Sequence, residues 1–445
     1  MQLNPKKIFE ELGRYVIGQA DAKKVISIAF RNRYRRMMIE DENMRGDIIP
    51  KNVLMTGPTG VGKTEIVRRA SQICDFPFIK AEASRFTEVG YVGKDVEGMI
   101  RDLVEQTVLK YKSKAKKAMR DKSWGMAVNS IAKILAEGKN AEEKFAGLSK
   151  EDMITKISNG ELNKESISIE VKDDSNGMQD IEIPGQMGGS IQIGMLSLGD
   201  IFKGDKYKKL RTNVKDALEI LTDEYAETLI NEKDIVKSAV YNVQQNGVVF
   251  IDEIDKLISN KDASGRGEVS REGVQRDLLP IIEGSEVSTK YGYIDTKHIL
   301  FIGCGAFYAV KPSDLMPELQ GRFPIQTALK ALTKQDFVDI LSKTENSILT
   351  QYTALLLIDG VNISFSQDGI EEIASIAHDL NTTVENIGAR RLHTIVEKVL
   401  EDLSFEYPKG GKAKKPVDVV IDAKYAQEKL GTLLKQKSEK AKFVI

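Results

Sequence analysis

Gly57-Pro58-Thr59-Gly60-Val61-Gly62-Lys63-Thr64 follows the apolar run Asn52-Val53-Leu54-Met55-Thr56 and precedes Glu65-Ile66-Val67-Arg68-Arg69-Ala70. The octapeptide fits the spacing G-x-x-x-x-G-K-[ST] of a phosphate-binding loop, and its flanks are those such a loop needs. The apolar run reads as a buried strand, and the residues after Thr64 repeat their apolar positions at helical spacing. Glycines let the backbone curl into a nest of N–H donors at the positive end of the following helix. Lys63 is placed to reach the β- and γ-phosphates, and the Thr64 hydroxyl to hold magnesium. Gly57, Thr59, Gly60, Val61, Gly62, Lys63, Thr64 and Glu65 are therefore the candidate binders of a nucleoside triphosphate.

The acidic partner of that loop stands far downstream, at Gly247-Val248-Val249-Phe250-Ile251-Asp252-Glu253. An apolar strand ending in two carboxylates puts them at the carboxyl edge of an α/β sheet, where ligands of such sheets bind. Asp252 is expected to hold magnesium, and Glu253 to orient or activate the attacking water. Between the two motifs lie roughly 130 residues more than a compact α/β unit needs, about the size of a domain. The stretch opens on Lys110-Tyr111-Lys112-Ser113-Lys114-Ala115-Lys116-Lys117 and passes through the glycine-rich Ile181–Gly189. Leu218, Leu221, Tyr225 and Leu229 then restore a helical face, so an inserted, mainly helical domain is expected.

Before the loop, Asn4-Pro5 has the form of a capped helix start, and Arg31–Arg36 forms a basic cluster expected on a solvated or subunit-facing helix surface. After it, Pro77–Ala81 reads as a second buried strand. Gly90-Tyr91-Val92-Gly93 then makes poor core, and it suits a mobile loop that shows an aromatic to solvent. Beyond residue 332 helical spacing returns, with short strands at Val361–Phe365 and Val417–Ile421. The chain ends in a lysine-rich tether tipped by Phe443-Val444-Ile445, an apolar end suited to a partner's groove. The expected fold class is thus α/β, with a split nucleotide-binding domain (1–108 and 243–331), an inserted domain (109–242) and a smaller C-terminal α+β domain (332–445).

Composition narrows the classes further. The 445 residues carry a net charge of −1, which gives no electrostatic footprint for nucleic acid. Two cysteines, Cys74 and Cys304, and three histidines form no disulfide framework and no metal-ligand spacing. No apolar run of signal or membrane-spanning length is read along the chain, so a cytoplasmic protein without membrane contact is expected.

Several boxes together resemble the AAA+ ATPases of the Clp class: Tyr15-Val16-Ile17-Gly18-Gln19, Gly57–Thr64, Gly90–Gly93, Phe250–Asp255, Pro317–Arg322 and Asn386-Ile387-Gly388-Ala389-Arg390-Arg391-Leu392-His393. The resemblance covers the whole chain. It implies a P-loop AAA+ domain, ATP and Mg2+ as cofactors, a homo-hexameric ring, and a separate peptidase ring that receives unfolded protein substrates. It implies that Val16 and Ile17 line the adenine pocket and that Arg390 acts on the nucleotide of its own subunit. Arg322, with Glu318, would serve a neighbouring subunit's nucleotide as an arginine finger. Tyr91, within Gly90–Gly93, would grip substrate in the pore, and Phe443, Val444 and Ile445 would dock on the peptidase. The catalytic set is then Glu253, Lys63 and Arg322. Cys304 falls near the place of the usual polar sensor after the fourth strand, and as a weak donor it receives no such role. The alternatives are a ClpX-like unfoldase, whose cysteine-rich module has no counterpart here, and a nucleic-acid-translocating motor.

Overall fold

The computed structural model describes residues 4–87, 95–137, 148–172, 207–258, 271–407 and 417–431. The chain divides into two compact units, Met1–Thr107 with Ser238–Ile445, and Val108–Lys237. Its strands are, in chain order, β1 (Val53–Thr56), β2 (Phe78–Glu82), β3 (Ser166–Lys172), β4 (Tyr207–Asn213), β5 (Val248–Asp252), β6 (Glu286–Thr289), β7 (Gly292–Asp295), β8 (Leu300–Gly305), β9 (Ile325–Ala328), β10 (Val361–Phe365) and β11 (Val417–Ile421).

The first unit is built on a parallel five-stranded sheet of order β2-β5-β8-β1-β9. Its three central strands are continuous apolar runs, as strands covered on both faces must be. Val53, Leu54, Met55, Val248, Val249, Phe250 and Phe301 are all fully buried. On one face the helices Pro5–Gly13, Ala20–Met37 and Lys63–Cys74 bring Ile8, Leu12, Ile26, Phe30 and Ile66 onto Phe250 and Ile302. Each such fully buried side chain contributes about 1.5–3 kcal/mol. Asn4 caps the first helix through its side chain on the Lys6 N–H, with proline at the first helical position.

Two sequence expectations are corrected here. The strand after the phosphate loop is not buried but an edge strand: of β2 only Ile79 is covered, and Lys80 points its ammonium to the sheet's carboxyl end. A short apolar run does not by itself reveal whether both neighbours of a strand are present. The basic cluster is a solvated face only in part, with Arg35 exposed and two of its arginines buried. Arg33 and Arg36 are 4% and 6% exposed; Arg33 donates to the carbonyls of Gln245 and Gly247, and Arg36 to Gln245 Oε1 and the Arg45 carbonyl. Burial, with Arg36 close by, pushes the Arg33 guanidinium down to about 9. These arginines tie the second helix to the end of the helix Glu232–Asn246 and the start of β5.

Within the same unit the residues after Leu332 form a module with its own core. The helices Lys334–Ser342, Ile348–Ile358, Gln367–Thr383 and Arg390–Glu406 pack Phe337, Leu341, Ile373, Val396 and Leu400 against the parallel pair β10–β11. Thr333 opens the first of them with a reciprocal capping box to Asp336.

The second unit pairs β3 and β4 antiparallel. Ile167, Ile169 and Val171 lie on one face of that ribbon, and helical residues Ala127, Ile131, Met153, Ile157, Val214 and Leu221 cover it. The glycine-rich stretch 181–189 lies outside the described residues.

Candidate nucleotide site

The phosphate loop leaves β1 at the carboxyl edge of the sheet, and the helix Lys63–Cys74 starts from it. Three of its glycines have positive φ: Gly57 at 136°, Gly60 at 70° and Gly62 at 98°. Gly57 also lies so close to β9 that a Cβ there would come within 2.5 Å of the Leu329 carbonyl oxygen. No other residue type fits that cradle. The Lys63 ammonium folds back into the loop's curve, donating to the Gly57 carbonyl at 2.5 Å and the Pro58 carbonyl at 2.8 Å.

Around the loop opens a cavity of about 890 Å³. It brings together Val16 and Ile17 from the segment between the first two helices, and Thr59, Gly60, Val61, Gly62, Lys63, Thr64 and Glu65 from the loop and its helix. Asp252 and Glu253 enter from β5, and Arg390 from the last helix of the C-terminal module. Gly57 lies behind the cavity wall and serves it by holding Lys63. Glu318 and Arg322 do not line it. Glu318 is exposed on the short helix Pro317–Gly321, and the Arg322 guanidinium meets Glu283 at 2.6 Å. The Arg322 backbone is nonetheless fixed, since Asn52 donates to its carbonyl and Phe323 beside it is fully buried. Gly90, Tyr91, Val92, Gly93 and Phe443, Val444, Ile445 lie outside the described residues.

The two acids are held by different means. Asp252 pairs with Lys80 of the neighbouring edge strand at 3.0 Å and accepts the Glu253 N–H at 3.1 Å on its other oxygen. Partial burial works against the Lys80 ammonium, but Asp252 and Glu82 outweigh it and hold its pKa above the ordinary value. Glu253 sits in the left-handed region, φ 56° and ψ 36°, and its carboxylate accepts from the Ser84 hydroxyl at 3.1 Å. Cys304, fully buried on β8 opposite Met55, lies against Asp252; burial pushes its thiol well above the usual range, and Lys63 opposes that only in part. It stays a neutral thiol there, as its weak donor chemistry anticipates.

Glu65 turns away from a direct charge role. It holds both Arg68 and Arg69, which overcome the cost of its burial and keep its carboxyl below the ordinary value. Arg69 in turn stacks on Tyr15 with the guanidinium 4.0 Å from the ring centroid, so an aromatic–cation wall borders the apolar end of the cavity. Tyr15, Arg69, Leu332, Ile340 and His393 are lining residues that motif reading did not single out. Tyr15 and His393 carried a signal, as the first and last residues of their boxes. The donor set of Thr64 hydroxyl and Asp252 carboxylate is all oxygen, which suits magnesium. Among the described residues no group of three or more His, Cys, Asp or Glu side chains forms a separate metal site, and no helix is long and apolar enough to cross a membrane.

Family models match two stretches of the chain, each reaching into the insert. One is the ATPase family associated with various cellular activities (AAA), over residues 53–121, and the other the AAA domain (Cdc48 subfamily), over 177–326. With a phosphate loop and paired acids at the carboxyl edge of a parallel sheet, the chain is an AAA ATPase. Proteins from three strains of Cereibacter sphaeroides, each named ATP-dependent protease ATPase subunit HslU, align with it along nearly its whole length. Two are 45% identical over 100% of this chain and 99% of their own, and the third is 46% identical over 97% of each. The chain belongs to the HslU family of ATP-dependent protease ATPase subunits.

Proposed function

We propose that this ATPase subunit hydrolyses ATP with Mg2+ in the cavity around the phosphate loop, and uses the cycle to unfold protein substrates and thread them into a separate peptidase ring. The observation that carries the proposal is the meeting of Lys63, Thr64, Asp252, Glu253 and Arg390, from three separate chain segments, in one cavity. When bound, Mg2+ would neutralise charge on the β- and γ-phosphates, with Thr64 and Asp252 as its protein oxygens. Lys63 needs only to trade the carbonyls of Gly57 and Pro58 for phosphate oxygens. Glu253 orients the attacking water and takes its proton, and the Ser84 hydroxyl aims that carboxylate. Val16 and Ile17 seat the adenine, and Arg390 binds phosphate within its own subunit.

Phosphoryl transfer gains from one more cation on the γ-phosphate, and a guanidinium meets three oxygens bidentately. Arg322 is outside its own subunit's cavity, half exposed and anchored by its backbone, which suits delivery with Glu318 to a neighbour in a homo-hexamer. Tyr91 between its glycines is the substrate grip, and the Phe443-Val444-Ile445 tip docks on the peptidase. The setting is cytoplasmic, with neither nucleic acid nor membrane as partner.

The test replaces the water-aligning charge alone. Glu253→Gln is expected to bind ATP as tightly as the parent protein in equilibrium titration and to hydrolyse it slower by ~10²-fold or more. Near-normal turnover in the purified variant would remove Glu253 from the mechanism. Stimulation of the parent protein's activity by DNA but not by unfolded protein would overturn the choice of substrate.

A further inference from the structure

The phosphate loop is held from outside by a turn of the C-terminal module. The Ala389 N–H donates to the Gly60 carbonyl at 2.9 Å, and the Thr59 hydroxyl donates to the Asn386 carbonyl at 3.0 Å. The approach is backbone on backbone. A Cβ on Gly60 would stand 2.1 Å from the Ile387 carbonyl oxygen, and one on Gly388 would stand 2.6 Å from Gly60. Both glycines have positive φ, 70° and 58°, so the fit depends on their bare backbone.

What ties the turn to the preceding helix is a buried amide, alongside the Asn386 Oδ1 that accepts the Gly388 N–H and the Glu385 carbonyl that accepts from the Arg391 guanidinium. Asn381, near the end of the helix Gln367–Thr383, is 7% exposed. Its Nδ2 donates to the Gly388 carbonyl at 3.0 Å. Its Oδ1 accepts the Ile387 N–H at 3.2 Å and Arg391 Nε at 3.3 Å. Asn381 thus binds the turn on both sides of the peptide that presses on Gly60, one residue before Ala389 and two before Arg390. It does not itself line the cavity.

We propose that Asn381 is a positioning residue for the nucleotide site: it fixes the 386–389 turn, which clamps Gly60 and sets Arg390 at the cavity. Through this clamp the C-terminal module governs the shape of the phosphate loop. The proposal rests on reading Gly57–Thr64 as the loop that binds nucleotide phosphates. A residue serving only its own helix end would lower stability when changed, and leave nucleotide binding as it was. Asn381 instead has to move both, because an unsatisfied Ile387 N–H, with a Gly388 carbonyl left to the Arg391 N–H alone, relaxes the surface that Gly60 leans on.

The test uses the full chain and titrates ADP and ATP alongside turnover. Asn381→Leu keeps the volume and removes all three hydrogen bonds; it is expected to weaken nucleotide binding by roughly tenfold, the scale of one lost buried hydrogen bond. Asn381→Asp keeps the acceptor for the Ile387 N–H and Arg391 Nε but sets a carboxylate against the Gly388 carbonyl in place of the Nδ2 donor. Its nucleotide binding should be weaker than the parent protein's, because that carbonyl then faces an acceptor. Gly388→Ala breaks the same clamp from the other side. Combined with Asn381→Asp it should weaken binding no further than the more severe single change. Wild-type affinity and turnover in Asn381→Leu with only a lowered melting temperature would overturn the proposal. So would additive losses in the double variant, or an Asp variant that binds nucleotide as the parent protein does, and the last two hold even where the Leu variant fails to fold. Unweakened binding in Lys63→Ala, by contrast, would count against the phosphate loop itself.

Discussion

Glu253 occupies a backbone region that costs a non-glycine residue about 1–2 kcal/mol, and such strain persists only where the surroundings over-determine it. Here they do: the Asp252 carboxylate accepts its N–H, Ser84 holds its side chain, and Ile254 after it is fully buried. No residue pattern announces that turn, because the strain depends on contacts from β2 and its following turn. His298 makes a second case at this scale. It lies buried between the sheet and the second helix, 9% exposed, and its Nδ1 has no hydrogen-bond partner. Burial first, then the cations of Arg36 and Lys297, push its pKa down to about 4, with Asp295 opposing. The unfolded chain takes up this proton near pH 6.5 while the folded one refuses it until about pH 4. Stability is then expected to fall as pH drops through that window, by roughly 3 kcal/mol in all, and to be indifferent to this group above it. Urea unfolding midpoints should show the acid loss in the parent protein and a smaller loss in His298→Gln. Equal losses in both would assign the acid sensitivity elsewhere.

At the scale of elements, β1, the phosphate loop and its helix stand where the residues 52–70 imply. Their order of apolar strand, glycines and amphipathic helix is local chemistry. The edge position of β2 is not local, and Lys80 reaches Asp252 from a strand with no further neighbour among the described residues. Two segments outside the described residues carry the proposed contacts with other proteins. An aromatic between Gly90 and Gly93 offers a large apolar contact indifferent to substrate sequence. The terminal Phe443-Val444-Ile445 offers side chains that gain about 1.5–3 kcal/mol each when buried in a groove. One tail binds weakly because it must be ordered, and several on one ring bind well through effective concentration. Tyr91→Ala and deletion of the last three residues are each expected to leave basal ATP hydrolysis largely intact and to abolish degradation of folded substrates by the two-component protease. A fall in melting temperature and ATPase activity together would show instead that the segment packs into its own subunit.

The whole molecule sets the proposed nucleotide cavity between a sheet edge and a module whose core is separate, the two joined by few bonds among the described residues. Besides the Gly60 clamp, the Glu345 N–H donates to the Arg14 carbonyl, and the Arg14 guanidinium pairs with Glu345 at 2.7 Å. Arg322 stays apart from all of this, in keeping with its proposed role in an assembly. Arg322→Ala is expected to bind ATP and hydrolyse it poorly. Mixed with Glu253→Gln subunits it should regain part of its activity, because some interfaces then hold both intact groups. Mixed rings that form, as shown by mass measurement, yet stay inactive at every ratio would sink the intersubunit assignment.

Residues 52–70 and 247–253 were enough to determine a triphosphate site on a parallel α/β sheet, because a phosphate loop needs glycine, lysine and hydroxyl at fixed spacing along one stretch of chain. The box at 386–393 pointed to Arg390 only through resemblance, since a lone arginine carries no local signature. Which arginines are buried, which strand forms the edge, that Ser84 aims Glu253, and that Asn381 braces a turn against Gly60 were decided by the tertiary structure alone. Each of these joins residues from tens to hundreds of positions apart, or turns on burial, and a hydrogen bond between such residues leaves no periodicity or spacing along the chain to be read.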